Sequence, residues 1–534
     1  MSKIKLYDTT LRDGAQTEGV SFSISDKISI AQKLDDLGIS YIEGGWPGAN
    51  PKDNEVFNAF KDIKFKNAKL VAFGSTCRAG VKANEDIVLR AMVESGAPAV
   101  TLVGKSSHAQ VTRVLEIDPQ ENIRMVQDSI SYLKDLGREV FLDAEHFFDG
   151  YKDDAAYSMR VLAAAMQAGA DGVVLCDTNG GAMPEEIYKA TQAVVGAINI
   201  PVGIHCHNDS ECAVANSLTA VNAGATQVQG TINGLGERCG NANLCAVIPA
   251  LKLKMGYDDI ISDGQLRRLR EIALFVAERA NMALPNNMAY VGSSAFSHKA
   301  GLHVSGLRRW SGSYQHIEPD LVGNKMRTLV SDQSGRANIL QKAEEMGINL
   351  TSSDKEIKNI LQTVKDMESR GFQYENAEAS FELLLQKGET GFKAPFELID
   401  YMVVVEKRRR LSTKNNGDGS DLMAEATVKL KVNDEILHTV SEGDGPVNAL
   451  DSALRKALNA VYPQVADVKL TDYKVRLIGE SSSTGSLTRV LIESSNGKYS
   501  WHTVGAGENI IDASWIALAD SMEYFLVNKD KLTK

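Results

Sequence analysis

Residues 161–178, VLAAAMQAGADGVVLCDT, carry one full unit of the pattern that decides the fold of the first half of the chain. A helical stretch rich in alanine runs to Gly169, a residue able to adopt the left-handed conformation that ends a helix, and the apolar run Val173–Thr178 follows at once. A strand with one face in water alternates polar and apolar side chains. A strand covered on both faces, as in a parallel sheet flanked by helices, reads as a continuous apolar run, and this one does.

The same phrase recurs on either side. Candidate strands are Ile4–Thr9, Tyr41–Gly45, Leu70–Gly74, Ala99–Val103, Val140–Glu145, Val173–Thr178, Val202–His207 and Gln227–Ile232, eight in all. Gly38, Gly96, Gly137, Gly169 and Gly224 close the helical stretches that precede many of them. Eight βα units in roughly 250 residues match a (β/α)8 TIM barrel, with an open doubly wound sheet as the competing arrangement. The predicted architecture is α/β: a catalytic barrel over 1–261, a helical linker region over 262–400, and a C-terminal α+β regulatory or dimerisation domain over 401–534. The linker shows helical patterns at Gln265–Arg279, Gly335–Met346 and Asp354–Ser369. The last part shows strands at Tyr401–Arg408, Glu425–Val432, Thr471–Ile478 and Thr488–Glu493. It also repeats itself, since NALDSAL from Asn448 aligns with NIIDASW from Asn509 at an offset of 509 − 448 = 61.

With 534 residues, 43% hydrophobic and 24% charged, the composition is that of a globular protein, and no apolar run approaches the ~20 residues that cross a bilayer. A net charge of −11 without basic clusters interleaved with aromatics excludes a nucleic-acid footprint. The strongest basic run, Lys407–Arg410, reads as a solvated strand end. Six cysteines, at 77, 176, 206, 212, 239 and 245, form no CxxC pair, and the opening MSKIKLYDTTLRDG lacks the marks of a signal peptide. Both features point to the cytoplasm.

Catalytic residues of a TIM barrel sit at the C-terminal ends of its strands and in the loops that follow. Asp13 follows the first candidate strand, while Glu43, Glu145 and Thr178 end the second, fifth and sixth. His205 and His207 end the seventh. Residues i and i+2 of a strand point to one face, so the two imidazoles project together while Cys206 points away. With Asp13 nearby they can hold Zn²⁺, Mn²⁺, Co²⁺ or Fe²⁺ on one face and leave positions open for substrate. Arg12 can stabilise a developing oxyanion or pair with a neighbouring acid. Glu145 can handle protons or satisfy a buried network, and Thr178 can bind a carboxylate or cap a helix. The glycine-rich stretch Gly234–Asn243 lacks the spacing of a dinucleotide site, but its Asn241 can reach a metal directly or through water. Cys239 in the same loop reads as an inert thiol.

The motifs YDTTLRDGAQ (7–16), GIHCHND (203–209), NGLGERCGNANL (233–244), SHKAGLHVSG (297–306) and VGAGENIIDASWIAL (504–518) resemble the 2-isopropylmalate synthase and homocitrate synthase family of acetyl-CoA-dependent Claisen enzymes. They are most similar to its citramalate synthase branch. The resemblance implies a divalent metal (Zn, Mn, Mg or Co) on Asp13, His205 and His207 with Asn241 close by, and Arg12 on the 2-oxo group. It assigns Glu145 and Thr178 to the substrate site, and His303 from the linker region, across a dimer, to deprotonation of the acetyl group. Tyr314 is similar to a tyrosine near that site, and His298 is the second candidate base. The implied substrates are acetyl-CoA and pyruvate, giving citramalate and CoA on a route to isoleucine, with isoleucine as effector of the C-terminal module and a homodimer as the assembly. The segment Gly44–Asp53, GGWPGANPKD, resembles the citramalate branch, whereas isopropylmalate synthases usually carry Phe-Pro there. Trp46 there can pack or meet substrate, and Leu102 and Val103 can wall the pocket. Isopropylmalate or homocitrate synthase is the alternative. A cysteine near position 239 is also similar to hydroxymethylglutaryl-CoA lyases, but the long C-terminal module speaks against a lyase. Arg12, Glu145 and His303 beside the metal ligands speak against a non-catalytic amino-acid sensor.

Overall fold

The glycines expected to end helices stand in the left-handed region, with φ of 94° at Gly38, 75° at Gly96, 73° at Gly137, 89° at Gly169 and 109° at Gly224. Between these stops the computed structural model, which describes residues 3–49, 51–328, 336–346, 354–388, 391–407, 422–478 and 487–532, forms a closed eight-stranded barrel. Its strands are β1 (Lys5–Asp8), β2 (Tyr41–Gly45), β3 (Lys69–Ser75), β4 (Ala99–Lys105), β5 (Glu139–Glu145), β6 (Gly172–Asp177), β7 (Val202–Cys206) and β8 (Gln227–Gly230). All neighbours are parallel, and β1 closes the ring on β8 from Lys5↔Gln227 to Asp8↔Gly230. The doubly wound alternative is excluded.

Period-two alternation sorts each strand into two faces. Outward residues such as Leu102, Leu142, Ile204 and Cys206 pack under the surrounding helices in the main core. The expectation that Leu102 walls the substrate pocket is therefore wrong: it is fully buried beneath the helices, and its neighbour Val103 faces inward. At the N-terminal end the interior is plugged by Tyr7, Tyr41, Val71, Ala99 and Phe141, with Tyr41 and Phe141 edge to face at 5.2 Å. Truncating such a buried ring, as in Phe141→Ala, costs about 3–5 kcal/mol.

The chain forms two compact units, Met1–Phe296 with His316–Met326, and Ser297–Gln315 with Arg327–Lys534. In the second unit the predicted repeat is present twice over. Antiparallel strands Glu397–Lys407, Leu422–Val432 and Glu435–Gly443 lead into helix Pro446–Asn459, and Lys469–Ile478, Leu487–Ser495 and Ser500–Gly507 lead into Ile510–Val527. The first strand of each sheet slips register at the same place, between Leu398 and Asp400 and between Leu470 and Asp472. The third strand of each sheet is additional to the sequence reading. Of the basic run at Lys407–Arg410, residues 408–410 lie outside the described residues, as does Gly335 at the start of a predicted helix. Among the described residues no helix is long and apolar enough to cross a membrane.

Candidate metal centre and active site

The loop after β1 is fastened before it reaches the barrel mouth. Asp8 accepts hydrogen bonds from Thr10 N (2.8 Å) and Thr10 Oγ1 (2.9 Å), and Thr10 Oγ1 accepts from Ile232 N (2.9 Å) in the loop after β8. Burial, partly offset by the bonds from Thr10, pushes the Asp8 carboxyl up to about 7. The next turn presents Arg12 and Asp13. Arg12 Nε donates to Glu43 Oε1 at 2.5 Å, its Nη1 lies 3.4 Å from Asp13 Oδ2, and its guanidinium carbon stands 3.9 Å from the centre of the Phe73 ring. Glu43, fully buried on β2, also accepts from the Tyr7 hydroxyl at 2.6 Å. Burial opposes the Arg12 charge, but Glu43 and Asp13 outweigh it and raise the pKa. At Asp13 burial is likewise outweighed, by Arg12 and His205, so its carboxyl titrates far below the usual carboxylate range.

Asp13, His205 and His207 are all buried, and each offers one ligand atom such that these atoms lie within 4.8 Å of one another. His205 Nε2 is 3.3 Å from Asp13 Oδ2, and its Nδ1 is 2.8 Å from Gln229 Oε1. His207 sits one residue beyond β7, where an isolated antiparallel bridge pairs it with Asn241. Directly opposed residues share a face with Cβ atoms about 5 Å apart, which brings Asn241 beside the cluster as expected. Asn241 Nδ2 donates to Leu235 O at 3.0 Å, whereas Asn241 Oδ1 and His207 Nδ1 are buried without a hydrogen-bond partner. An unsatisfied buried polar atom costs about 1–3 kcal/mol, and a cation shared by such lone pairs would offset that cost. Burial, then the neighbouring His205, pushes His207 down to about 4, so it is neutral near pH 7, as a metal ligand must be. These residues fit a divalent metal with one oxygen and two nitrogen donors.

The glycines of the loop after β8 make this packing possible. A Cβ on Gly236 (φ +156°) would lie 2.1 Å from Asn241 Nδ2, and one on Gly240 (φ +88°) 2.0 Å from the Gly234 carbonyl oxygen.

Above the cluster opens a cavity of about 590 Å³, whose lining includes Arg12, Asp13, Val103, Glu145, Thr178 and His207. Thr178 lies one residue past β6, and its Oγ1 accepts from His146 N at 2.8 Å, which leaves its own proton to donate. Glu145 is paired with Lys105 Nζ at the end of β4. Trp46 and Phe73 meet edge to face at 5.4 Å on one side. His303 and Tyr314 belong to the second unit, where their rings stack at 4.1 Å, with His298 6.4 Å from His303. The structure thus gathers the predicted residues of the barrel around one mouth, and the residues lining its cavity all come from the first unit. Cys239 is exposed, and all six cysteines are free.

Three family models match the chain: HMGL-like over residues 3–276, homocitrate synthase post-HMGL domain-like over 290–371, and LeuA allosteric (dimerisation) domain over 375–526. The (R)-citramalate synthase of Aquifex aeolicus is 52% identical over 530 residues, 99% of each chain. The chain belongs to the citramalate synthase family. A second relative of that name, from Geobacter sulfurreducens, is 52% identical over 532 residues, 100% of this chain and 99% of its own. Among solved structures, the HMG-CoA lyase of Bacillus subtilis covers 53% of this chain and 96% of its own at 20% identity and a TM-score of 0.46.

In this member of the citramalate synthase family the barrel mouth also holds residues that the sequence reading passed over. Lys105 is one, and alternation would have found it, since Thr101, Val103 and Lys105 share the inward face of β4. Arg238 is another: it clasps Asp209 through Nε (2.7 Å) and Nη2 (2.9 Å) and reaches the Thr178 carbonyl at 2.9 Å. Asp143, whose carboxyl burial pushes up to about 7, and Gln229 complete the inner layer. A lone glutamine in an apolar strand gave no signal of its own.

Proposed function

We propose that the chain is an (R)-citramalate synthase, which condenses acetyl-CoA with pyruvate and hydrolyses the resulting thioester to citramalate and CoA. The observation that carries this reading is the convergence of Arg12, Asp13, Glu145, Thr178 and His207 on a single cavity in a chain so similar, end to end, to proteins of that name. Asp13, His205 and His207, with Asn241, would hold a divalent metal, which when bound supplies Lewis acidity toward the 2-oxo acid. Arg12 donates N–H groups to the 2-oxo oxygen, where negative charge grows as the carbon–carbon bond forms. Thr178 donates its hydroxyl proton to the pyruvate carboxylate, and Glu145, held by Lys105, orders the protons around it. A thioester methyl is a feeble acid, so a base must be set against it. We assign that role to His303, stacked on Tyr314 and supplied from the partner subunit of a homodimer, with His298 as the second choice. Water then cleaves the thioester and CoA leaves with the thiol proton.

The family model for an allosteric and dimerisation domain over 375–526 supports a regulatory role for the C-terminal module, and we assign it isoleucine as effector. If a chain truncated near residue 400 were still inhibited by isoleucine, that assignment would fail. Free cysteines throughout suit the cytoplasm. The deciding experiment is CoA-thiol release by metal-loaded protein with acetyl-CoA and, in parallel, pyruvate, 2-oxobutyrate, 2-oxoisovalerate and 2-oxoglutarate. Fastest turnover is expected with pyruvate. Preference for 2-oxoisovalerate or 2-oxoglutarate would overturn the substrate assignment, and no release with any would overturn the reaction.

A further inference from the structure

Beneath the metal cluster, inside the barrel, runs a short hydrogen-bond chain that the proposed mechanism does not use. Asp143 Oδ1 accepts from Gln229 Nε2 at 3.0 Å, and Gln229 Oε1 faces His205 Nδ1 at 2.8 Å. Gln229 is fully buried, and Asp143 and His205 are each about 5% exposed or less, so water does not substitute for these contacts. A carboxamide has one donating and one accepting end. Asp143 Oδ1 takes the NH₂ end of Gln229, which leaves the carbonyl, an oxygen that can only accept, turned toward His205. His205 must then carry a proton on Nδ1, so Nε2, the nitrogen 3.3 Å from Asp13 Oδ2, is the one left to bind a metal.

We propose that Asp143 and Gln229 are positioning residues that set the tautomer of His205 and so prepare its Nε2 to bind the metal. Outer partners of a metal-bound imidazole commonly fix its tautomer, and losing them weakens metal binding about 10–100-fold. The polarity of this chain is set at Asp143, one residue removed from the imidazole. In Asp143→Asn the new amide can present either end, and Gln229 is free to rotate its NH₂ toward His205, which favours the proton on Nε2 where the metal must sit. In the double variant Asp143→Asn/Gln229→Glu the order returns, because the amide introduced at position 143 donates to a carboxylate that in turn accepts from His205 Nδ1–H.

The inference rests on the metal assignment, and Zn²⁺ dissociation constants measured by chelator competition on the full-length protein separate the two. Asp143→Asn, with wild-type circular dichroism, is expected to bind Zn²⁺ about 10-fold or more weakly, and the double variant to recover most of that loss. Gln229→Leu, which leaves Nδ1 without any partner, serves as the second test and is expected to weaken binding to the same extent. Variants that bind within about twofold of wild type, or a double variant no tighter than Asp143→Asn, would overturn the positioning role. A wild-type protein that retains no Zn²⁺ would instead overturn the metal assignment.

Discussion

Replacing Arg12 by lysine keeps the charge and removes the geometry. The guanidinium is held at three points, by Glu43 at 2.5 Å, by Asp13 at 3.4 Å and by the Phe73 face at 3.9 Å, and its remaining N–H groups are left for the cavity it lines. A lysine ammonium can satisfy Glu43, but having done so it cannot also reach a substrate oxygen, for it lacks the planar fork that does both. Loss of one donor to a developing oxyanion costs about 2.7–4 kcal/mol, a fall in kcat of about 10²–10³-fold. Because the buried Glu43 keeps a cationic partner, the loss in stability should be limited to the ring contact, about 0.5–2 kcal/mol. The assay is CoA-thiol release at saturating pyruvate, acetyl-CoA and metal, with metal content and thermal unfolding measured on the same samples. A kcat within about fivefold of wild type, with metal retained, would refute the assignment of Arg12 to the oxyanion.

His205→Ala should lose its metal on desalting and its turnover together, and unchanged activity would sink the metal centre. Gly236→Ala forces a Cβ to within 2.1 Å of Asn241 Nδ2 at a φ that alanine resists, so metal affinity should fall at least about 10-fold along with the melting temperature. If chelator competition shows neither change, the loop is not packed as described. Lys105→Met removes the partner of Glu145 while keeping its length, and kcat/KM for pyruvate should fall about 10-fold, equal to about 1.4 kcal/mol. An unaltered kcat/KM would show that the ion pair has no part in turnover.

The barrel was legible because two independent signals coincide in it. Continuous apolar runs mark strands covered on both faces, and glycines such as Gly38 and Gly224 mark helix ends that only a left-handed residue completes cheaply. The candidate metal cluster was legible because the two histidines, a weak signal by themselves, stand two apart at a strand end with acids at neighbouring strand ends. Errors gathered where a side chain's direction, rather than its type, decides its role. Leu102 and Lys105 differ by three positions on β4 and therefore point to opposite faces, so the apolar residue belongs to the helix layer and the charged one to the cavity. The strands Glu435–Gly443 and Ser500–Gly507 went unread for a different reason. Each is the third strand of its sheet: the side chains of Glu435–Gly443 are partly or fully exposed along its length, so hydrophobic pattern is weak there, whereas Ser500–Gly507 is mostly buried but carries Gly505 and Gly507, which are poor strand formers. His303 and Tyr314 stack on each other in the second unit, a contact between residues eleven apart that no periodicity announces.

The aromatic plug of Tyr7, Tyr41 and Phe141 makes the barrel a cul-de-sac. Every molecule that reaches the mouth must leave by the same door. Any reaction of two substrates at such a mouth has one route for entry and release, so whichever molecule binds deeper must arrive first and leave last.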